Sequence, residues 1–136
     1  MDYPVAVTVT TRTEEETLRF AGSGMLRQEG SSLHLHYTAP RPGEEPLVSA
    51  VHLRAGRALV ESQSLRLLLD PKRRTRALLK TAEGAAPLEA QTHRAAWRWD
   101  GQSGAVELHY TICSGDRALD TLRLTLELTL QRREPT

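Results

Sequence analysis

The sequence predicts an all-β protein, an antiparallel meander β-barrel of about eight to ten strands. Leucine occupies every second position from Leu122 to Leu130, and the intervening residues are polar. Because a strand sends successive side chains to opposite faces, this segment has one leucine face and one polar face. Turn signals such as Ala55-Gly56 and Asp100-Gly101 separate this run from shorter ones of the same kind.

The alternation recurs in the runs Val5–Val9, Leu33–Tyr37 and Val106–Ile112. Residues 13–19, which begin with a threonine and three glutamates, could form one helical turn. A hairpin loop followed by a strand is the better interpretation, because no helical period continues beyond it. We expect about nine or ten runs, no helix longer than about two turns, and a frayed end at residues 132–136.

The first and last strands are both long and regular. An exposed strand edge invites aggregation, and barrel closure removes it. We therefore expect these two strands to pair or lie close together. The leucines that face the core are expected to be Leu122, Leu124, Leu126 and Leu128.

Length and composition predict one domain, residues 1–136, with no disulfide within the chain because Cys113 is the single cysteine. The 18 basic and 17 acidic residues give a net charge of +1, which does not require a nucleic acid or an anionic membrane as partner. The sequence shows no signal peptide and no apolar run of membrane-spanning length. We expect a bacterial, cytoplasmic protein without a membrane partner.

Three stretches carry a family resemblance. Leu33–Tyr37 ends in a hydrophobic-x-Tyr pattern, Lys80–Gly84 contains a Thr-x-x-Gly hairpin, and Gly104–Tyr110 has the pattern of a penultimate strand. On these patterns the chain resembles the YwiB-like bacterial β-barrels, a family of unknown function with a calycin-like (lipocalin-like) fold. The resemblance covers nearly the whole chain and implies that fold, but it implies no established reaction.

The histidines are the first candidates for chemistry. His34 and His36 point to one face of a strand, and His52 on the next strand could approach them if the registers agree. Three imidazoles could form a zinc site. We prefer to interpret them as a solvated outer face, because Leu33, Leu35 and Tyr37 take the inner one, and we predict no metal site.

Cys113 and His109 form the second candidate. Four positions along one strand separate them by about 13 Å, which is too far for a thiolate–imidazole pair. Cys113 is therefore interpreted as a small apolar side chain near a strand end.

The basic run Lys72, Arg73, Arg74 and Arg76 is the third candidate. It could bind phosphates while Trp97 and Trp99 stack on bases. The near-neutral charge favours a solvated loop and two core or barrel-end tryptophans instead, so a nucleic acid is not the predicted partner.

The sequence shows no catalytic constellation, so we predict no enzyme, no catalytic residue and no cofactor. We expect a non-catalytic barrel that binds a small apolar ligand in its interior near Trp97, Trp99 and Tyr110, because small aliphatic residues fill a wide barrel poorly. The alternative is an interaction or assembly protein that contacts a protein or nucleic acid through its outer surface, with a filled interior. The protein partner itself is not predictable from the sequence.

Overall fold

The computed structural model describes residues 2–131, and all secondary structure in this range is β. The all-β prediction is confirmed. The expected fraying at residues 132–136 lies outside the described residues. The ten strands are β1 (Asp2–Arg12), β2 (Thr17–Glu29), β3 (Ser32–Ala39), β4 (Leu47–Arg54), β5 (Arg57–Ser62), β6 (Leu65–Leu69), β7 (Thr75–Thr81), β8 (Gly84–Trp99), β9 (Ser103–Ser114) and β10 (Arg117–Leu130).

All ten strands lie in one closed barrel, in which each strand pairs antiparallel with its neighbours in sequence. Strand β1 closes the barrel against β10, with Val5 opposite Leu130 and Arg12 opposite Arg123. The backbone N–H of Gln131 extends the seam by donating to the Pro4 carbonyl at 2.8 Å. The expected pairing of the first and last strands is confirmed.

The alternation in β10 sorts its side chains as predicted. Leu126 and Leu128 are buried, and Leu122 and Leu124 are partly buried against the same core. Thr125 and Glu127 take the outer face, where Glu127 is exposed. Inward side chains of the other strands complete this core, so the barrel interior holds the main apolar cluster.

Two-residue turns connect several strands. Ala55 and Gly56, between β4 and β5, have φ angles of 53° and 76°. Positive φ at both central residues matches the right-handed twist of a hairpin, and the glycine adopts it without steric cost. The loop at residues 13–16 closes with the Glu16 N–H donating to the Thr13 hydroxyl at 3.1 Å, so a hairpin forms where a helical turn was the alternative.

A glycine lets strand β2 approach β3 closely. A Cβ at Gly24 would overlap the backbone carbonyl oxygen of His36 and stand 2.8 Å from the Cα of Tyr37. Glycine kinks of this kind bend strands at barrel corners.

Two bulges interrupt the ladders on either side of β9. The register of β8 against β9 shifts between Thr92 and Arg94, and that of β10 against β9 shifts between Ala118 and Asp120. The extra residues, His93 and Leu119, are both exposed. A bulge bends a strand and increases its local twist.

Candidate ligand-binding site

The two tryptophans predicted to line a ligand site lie near one end of β8 and face inward. Trp97 and Trp99 are partly buried against the core, and the Trp99 ring lies 5.6 Å from the Tyr3 ring. The indole N–H of Trp99 is buried and has no hydrogen-bond partner among the described residues. A buried indole normally has one, so this end of the interior contains an unsatisfied donor.

Tyr110, the third predicted residue, lies further along the sheet. Trp97 is opposite Val106, whereas Tyr110 is opposite Thr92, so about 13 Å of strand separates the two positions. Burial, together with the nearby Tyr37 and Asp120, raises the pKa of Tyr110 to about 12. The structure therefore places Trp99 beside Tyr3 and Tyr110 near Tyr37, and binding by the predicted set stays a prediction.

A groove of about 770 Å³ runs along the outer face of β5, β6, β7 and the start of β8. Its apolar lining comes from outward side chains of neighbouring strands, Leu59, Leu68, Leu78 and Pro87. Leu68 is 40% exposed. Cys113 lines the groove and is itself buried. We call this feature the outer groove.

The outer groove has a basic rim. Arg66 and Arg76 line it, and neither forms an ion pair within residues 2–131. Glu89, also in the lining, is 3.5 Å from the guanidinium of Arg74, which also donates to the Gly115 carbonyl at 2.8 Å. The groove thus combines an apolar wall with two guanidinium groups that form no ion pair among the described residues, although Arg66 lies opposite Glu61 and Arg76 opposite Glu89.

The sequence contains a signal for the outer groove that the alternation argument did not use. Leu67-Leu68-Leu69 and Leu78-Leu79 place leucines at both parities of a strand. The leucines at one set of alternate positions face the core, where Leu67 and Leu69 are buried. The leucines between them must therefore face outward. Apolar residues on both faces of a strand are the pattern that predicts such a surface.

The basic run divides between a loop and a strand. Lys72, Arg73 and Arg74 lie in the loop before β7, where the backbone N–H of Lys72 donates to the Asp70 carboxylate at 3.0 Å. Arg76 follows on β7 and belongs to the outer groove. Because Trp97 and Trp99 face the interior, the basic run and the tryptophans do not share a surface.

The three histidines share the outer face, and the register that would bring them together is present. His34 lies directly opposite His52, and their Nδ1 atoms are 2.7 Å apart. The His36 and His52 rings are 5.4 Å apart between centroids. Burial, followed by the charges of His34 and His36, lowers the pKa of His52. A cavity of about 380 Å³ beside them is also lined by Asp2, Arg27 and Glu29.

A second histidine pair occupies the outer face at the β8 bulge. His93 and His109 have ring centroids 4.8 Å apart, and His93 Nε2 is 2.8 Å from the Thr111 hydroxyl. Burial, then the charges of Arg123 and His93, lowers the pKa of His109. Cys113 lies opposite Glu89, whereas His109 lies opposite Arg94, so the thiol and the imidazole are apart along β9.

Comparison with known proteins identifies the family. Residues 5–126 match the family described as a domain of unknown function, DUF1934. The chain belongs to this family. No curated protein matches the chain.

A crystal structure supports the DUF1934 fold. The structure described as the ywiB protein from Bacillus subtilis is similar to this chain, with a TM-score of 0.80 and 17% sequence identity. The similarity covers 96% of this chain and 94% of that chain. The YwiB-like resemblance predicted from the sequence is confirmed, and at this identity it establishes the barrel fold.

In residues 2–131, no set of three or more His, Cys, Asp or Glu side chains is arranged to hold a metal ion. The same range contains no helix with the length and hydropathy needed to cross a membrane.

Proposed function

We propose that this barrel is a non-catalytic, cytoplasmic binding protein whose outer groove takes a small amphipathic anion, a molecule with an apolar body and one acidic group. The observation that carries the proposal is the groove itself. Its volume of about 770 Å³ falls in the range of small-molecule sites. Its lining combines leucine and proline side chains with a few charged groups, as such sites commonly do.

The charges select the kind of ligand. Arg66 and Arg76 form no ion pair among the described residues, and guanidinium groups bind carboxylate, sulfonate or phosphate oxygens through paired N–H donors. The apolar body would cover Leu59, Leu68 and Leu78. A guanidinium group offers several fixed N–H donors and no acceptor, which suits binding better than proton transfer.

The groove supports small-molecule binding better than the barrel interior does. The central inward side chains, Leu35, Val51 and Leu108 among them, are fully buried against one another. At the Trp99 end a ligand would have to displace the contact with Tyr3, although it could accept a hydrogen bond from the indole N–H. The outer groove needs no such rearrangement.

Two fluorescent probes of similar apolar body test the proposal. One carries a sulfonate, 1-anilinonaphthalene-8-sulfonate, and the other is the uncharged N-phenyl-1-naphthylamine. The Leu68→Asp variant should weaken both probes, while Arg66→Gln and Arg76→Gln should weaken the sulfonate by about tenfold and the uncharged probe little. Val48→Asp is the matched control, because Val48 is 53% exposed on the outer face of β4 and does not line the groove.

The thermal midpoint of each variant must be measured in parallel, because these dyes also bind partly unfolded proteins. Unchanged sulfonate affinity in folded Leu68→Asp would refute the groove as the site. Loss of binding in Trp99→Phe alone would show that the ligand binds in the barrel interior. No saturable binding of either probe would favour the alternative, a surface that contacts a macromolecule.

A further inference from the structure

The outer face of β3 and β4 presents a cross-strand pair of imidazoles. His34 and His52 are directly opposite each other and both are half-buried. Their Nδ1 atoms are 2.7 Å apart. When both rings are neutral, one Nδ1–H donates a hydrogen bond to the lone pair of the other Nδ1. We propose that these two Nδ1 atoms bind a divalent transition-metal ion, of the class Cu²⁺, Ni²⁺ or Zn²⁺, with water completing the coordination.

The distance between the nitrogens is close to what a metal needs. Imidazole binds Zn²⁺ at about 2.0–2.1 Å, so two nitrogens on a tetrahedral ion stand about 3.3–3.4 Å apart. The pair must open by about 0.6 Å, and each ring must turn by roughly 35° so that its lone pair is directed at the ion and not at the other nitrogen. Imidazole is the ligand that copper, nickel and zinc favour among nitrogen donors.

The charges around the pair favour a cation. Asp2 and Glu29 line the adjoining cavity, and the one guanidinium there, Arg27, is 2.8 Å from Asp2 and 3.7 Å from Glu29. The two carboxylates therefore outweigh the single positive charge. Within this cavity a metal ion at His34 and His52 would meet more carboxylates than guanidinium groups, while Arg54 lies two positions from His52 on the same face of β4.

His36 stands beside the pair but is not required. Its ring centroid is 5.4 Å from that of His52, and it is exposed, so it is not arranged as a third ligand. A site with two imidazoles and bound water predicts moderate affinity. Replacing His36 should accordingly change the affinity less than replacing His34.

The second histidine pair provides a control within the same molecule. His93 and His109 are as close as the first pair, but His93 is engaged with Thr111. The cavity beside His109 is lined by Arg94 and Arg123 with one carboxylate, Glu107. Positive charge therefore prevails there and disfavours a cation, although the ring geometry is similar.

Calorimetric titration with Ni²⁺ at pH 7.5 tests the site, using protein from which any polyhistidine tag has been removed. We expect one ion per chain, with affinity at least about tenfold weaker in His34→Asn and in His52→Asn. His93→Asn should bind as the unaltered protein does. Unchanged binding in His34→Asn, or equal loss in His93→Asn, would overturn the proposal.

Nuclear magnetic resonance gives a test that needs no variant to fold. Substoichiometric Ni²⁺ should broaden the ring signals of His34 and His52 before those of His93 and His109. Broadening of all five histidines at the same metal concentration would mean weak, unspecific binding and would refute the site. Because neither measurement involves the outer groove, failure here leaves the proposed ligand function standing.

Discussion

The long wall of the barrel, formed by β8, β9, β10, β1 and β2, has strands of 11 to 16 residues. The short wall, formed by β5, β6 and β7, has strands of five to seven. From Thr121 to Thr129 the outward positions of β10 are polar or charged, whereas on the short wall they include Leu59, Leu68 and Leu78. Three apolar side chains of the long wall are also exposed, Leu18, Met25 and Leu119. One apolar face suffices to build a core, so the second apolar face of the short wall is available to bind something else.

The two walls should differ most in the loss of stability that a leucine-to-alanine substitution causes. Leu126→Ala removes a fully buried side chain from the long wall and should lower the free energy of unfolding by about 2–5 kcal/mol. Leu68→Ala, in the outer groove, should cost about 1 kcal/mol or less, because Leu68 is 40% exposed. Urea denaturation measures both. Equal losses would mean that the outer leucines are structural and that the two walls do not differ.

Three strands of the long wall, β1, β9 and β10, were predictable, because apolar and polar residues alternate along them. Alternation from Leu122 to Leu130 identifies β10 and its buried face, and the regular strands β1 and β10 predict closure. The short wall departs from that rule, because Leu67-Leu68-Leu69 has no polar residue at the alternate position. Period two therefore did not predict the outer groove.

The sites depend on strand offsets, which no local pattern encodes. The sequence predicted that His52 would approach His34 only if β3 and β4 paired in the right register, and it did not give that register. The separation of Tyr110 from Trp97 likewise follows from the offset of β8 against β9 and from the bulge at His93. Residues whose side chains point to the same face of the sheet can thus lie far apart along the strands.

An intermediate effect is expected at alkaline pH from the core behind the long wall. Tyrosine ordinarily has a pKa near 10, and burial raises the pKa of Tyr110 to about 12 in the folded protein. The unfolded state therefore loses this proton first, so stability is fully present below about pH 10 and declines as the pH rises toward 12. The decline attributable to Tyr110 is about 2–3 kcal/mol.

Tyr110→Phe should reduce that alkaline decline, measured by urea denaturation between about pH 9 and pH 11.5. Part of it should remain, because burial also raises the pKa of Tyr37. Tyr3→Phe is the matched control, since it keeps the Tyr110 hydroxyl. A Tyr110→Phe protein with the same decline as its parent would show that the buried hydroxyl does not govern alkaline unfolding.

The smallest effect concerns local opening, with no change to the chain. The ladder between β6 and β7 extends only from Leu65 opposite Leu79 to Leu67 opposite Ala77. Short ladders open more readily than long ones, so amides of β6 should exchange with deuterium sooner than those in the middle of β9. Native-state hydrogen exchange measures this directly. If the amides of β6 were protected as strongly as those of β9, the two walls would not differ in local opening.

The seam between β1 and β10 has a consequence for how the chain reaches this structure. In the closed barrel β10 lies between β1 and β9, so it covers an edge of each. During synthesis a chain that has produced every strand except β10 is an open sheet with two bare edges, and bare edges recruit other chains. Contacts between distant parts of a sequence also form slowly. The nascent protein is therefore most prone to aggregation just before β10 is made, and a chaperone that covers β1 or β9 until then would raise the yield of closed barrel.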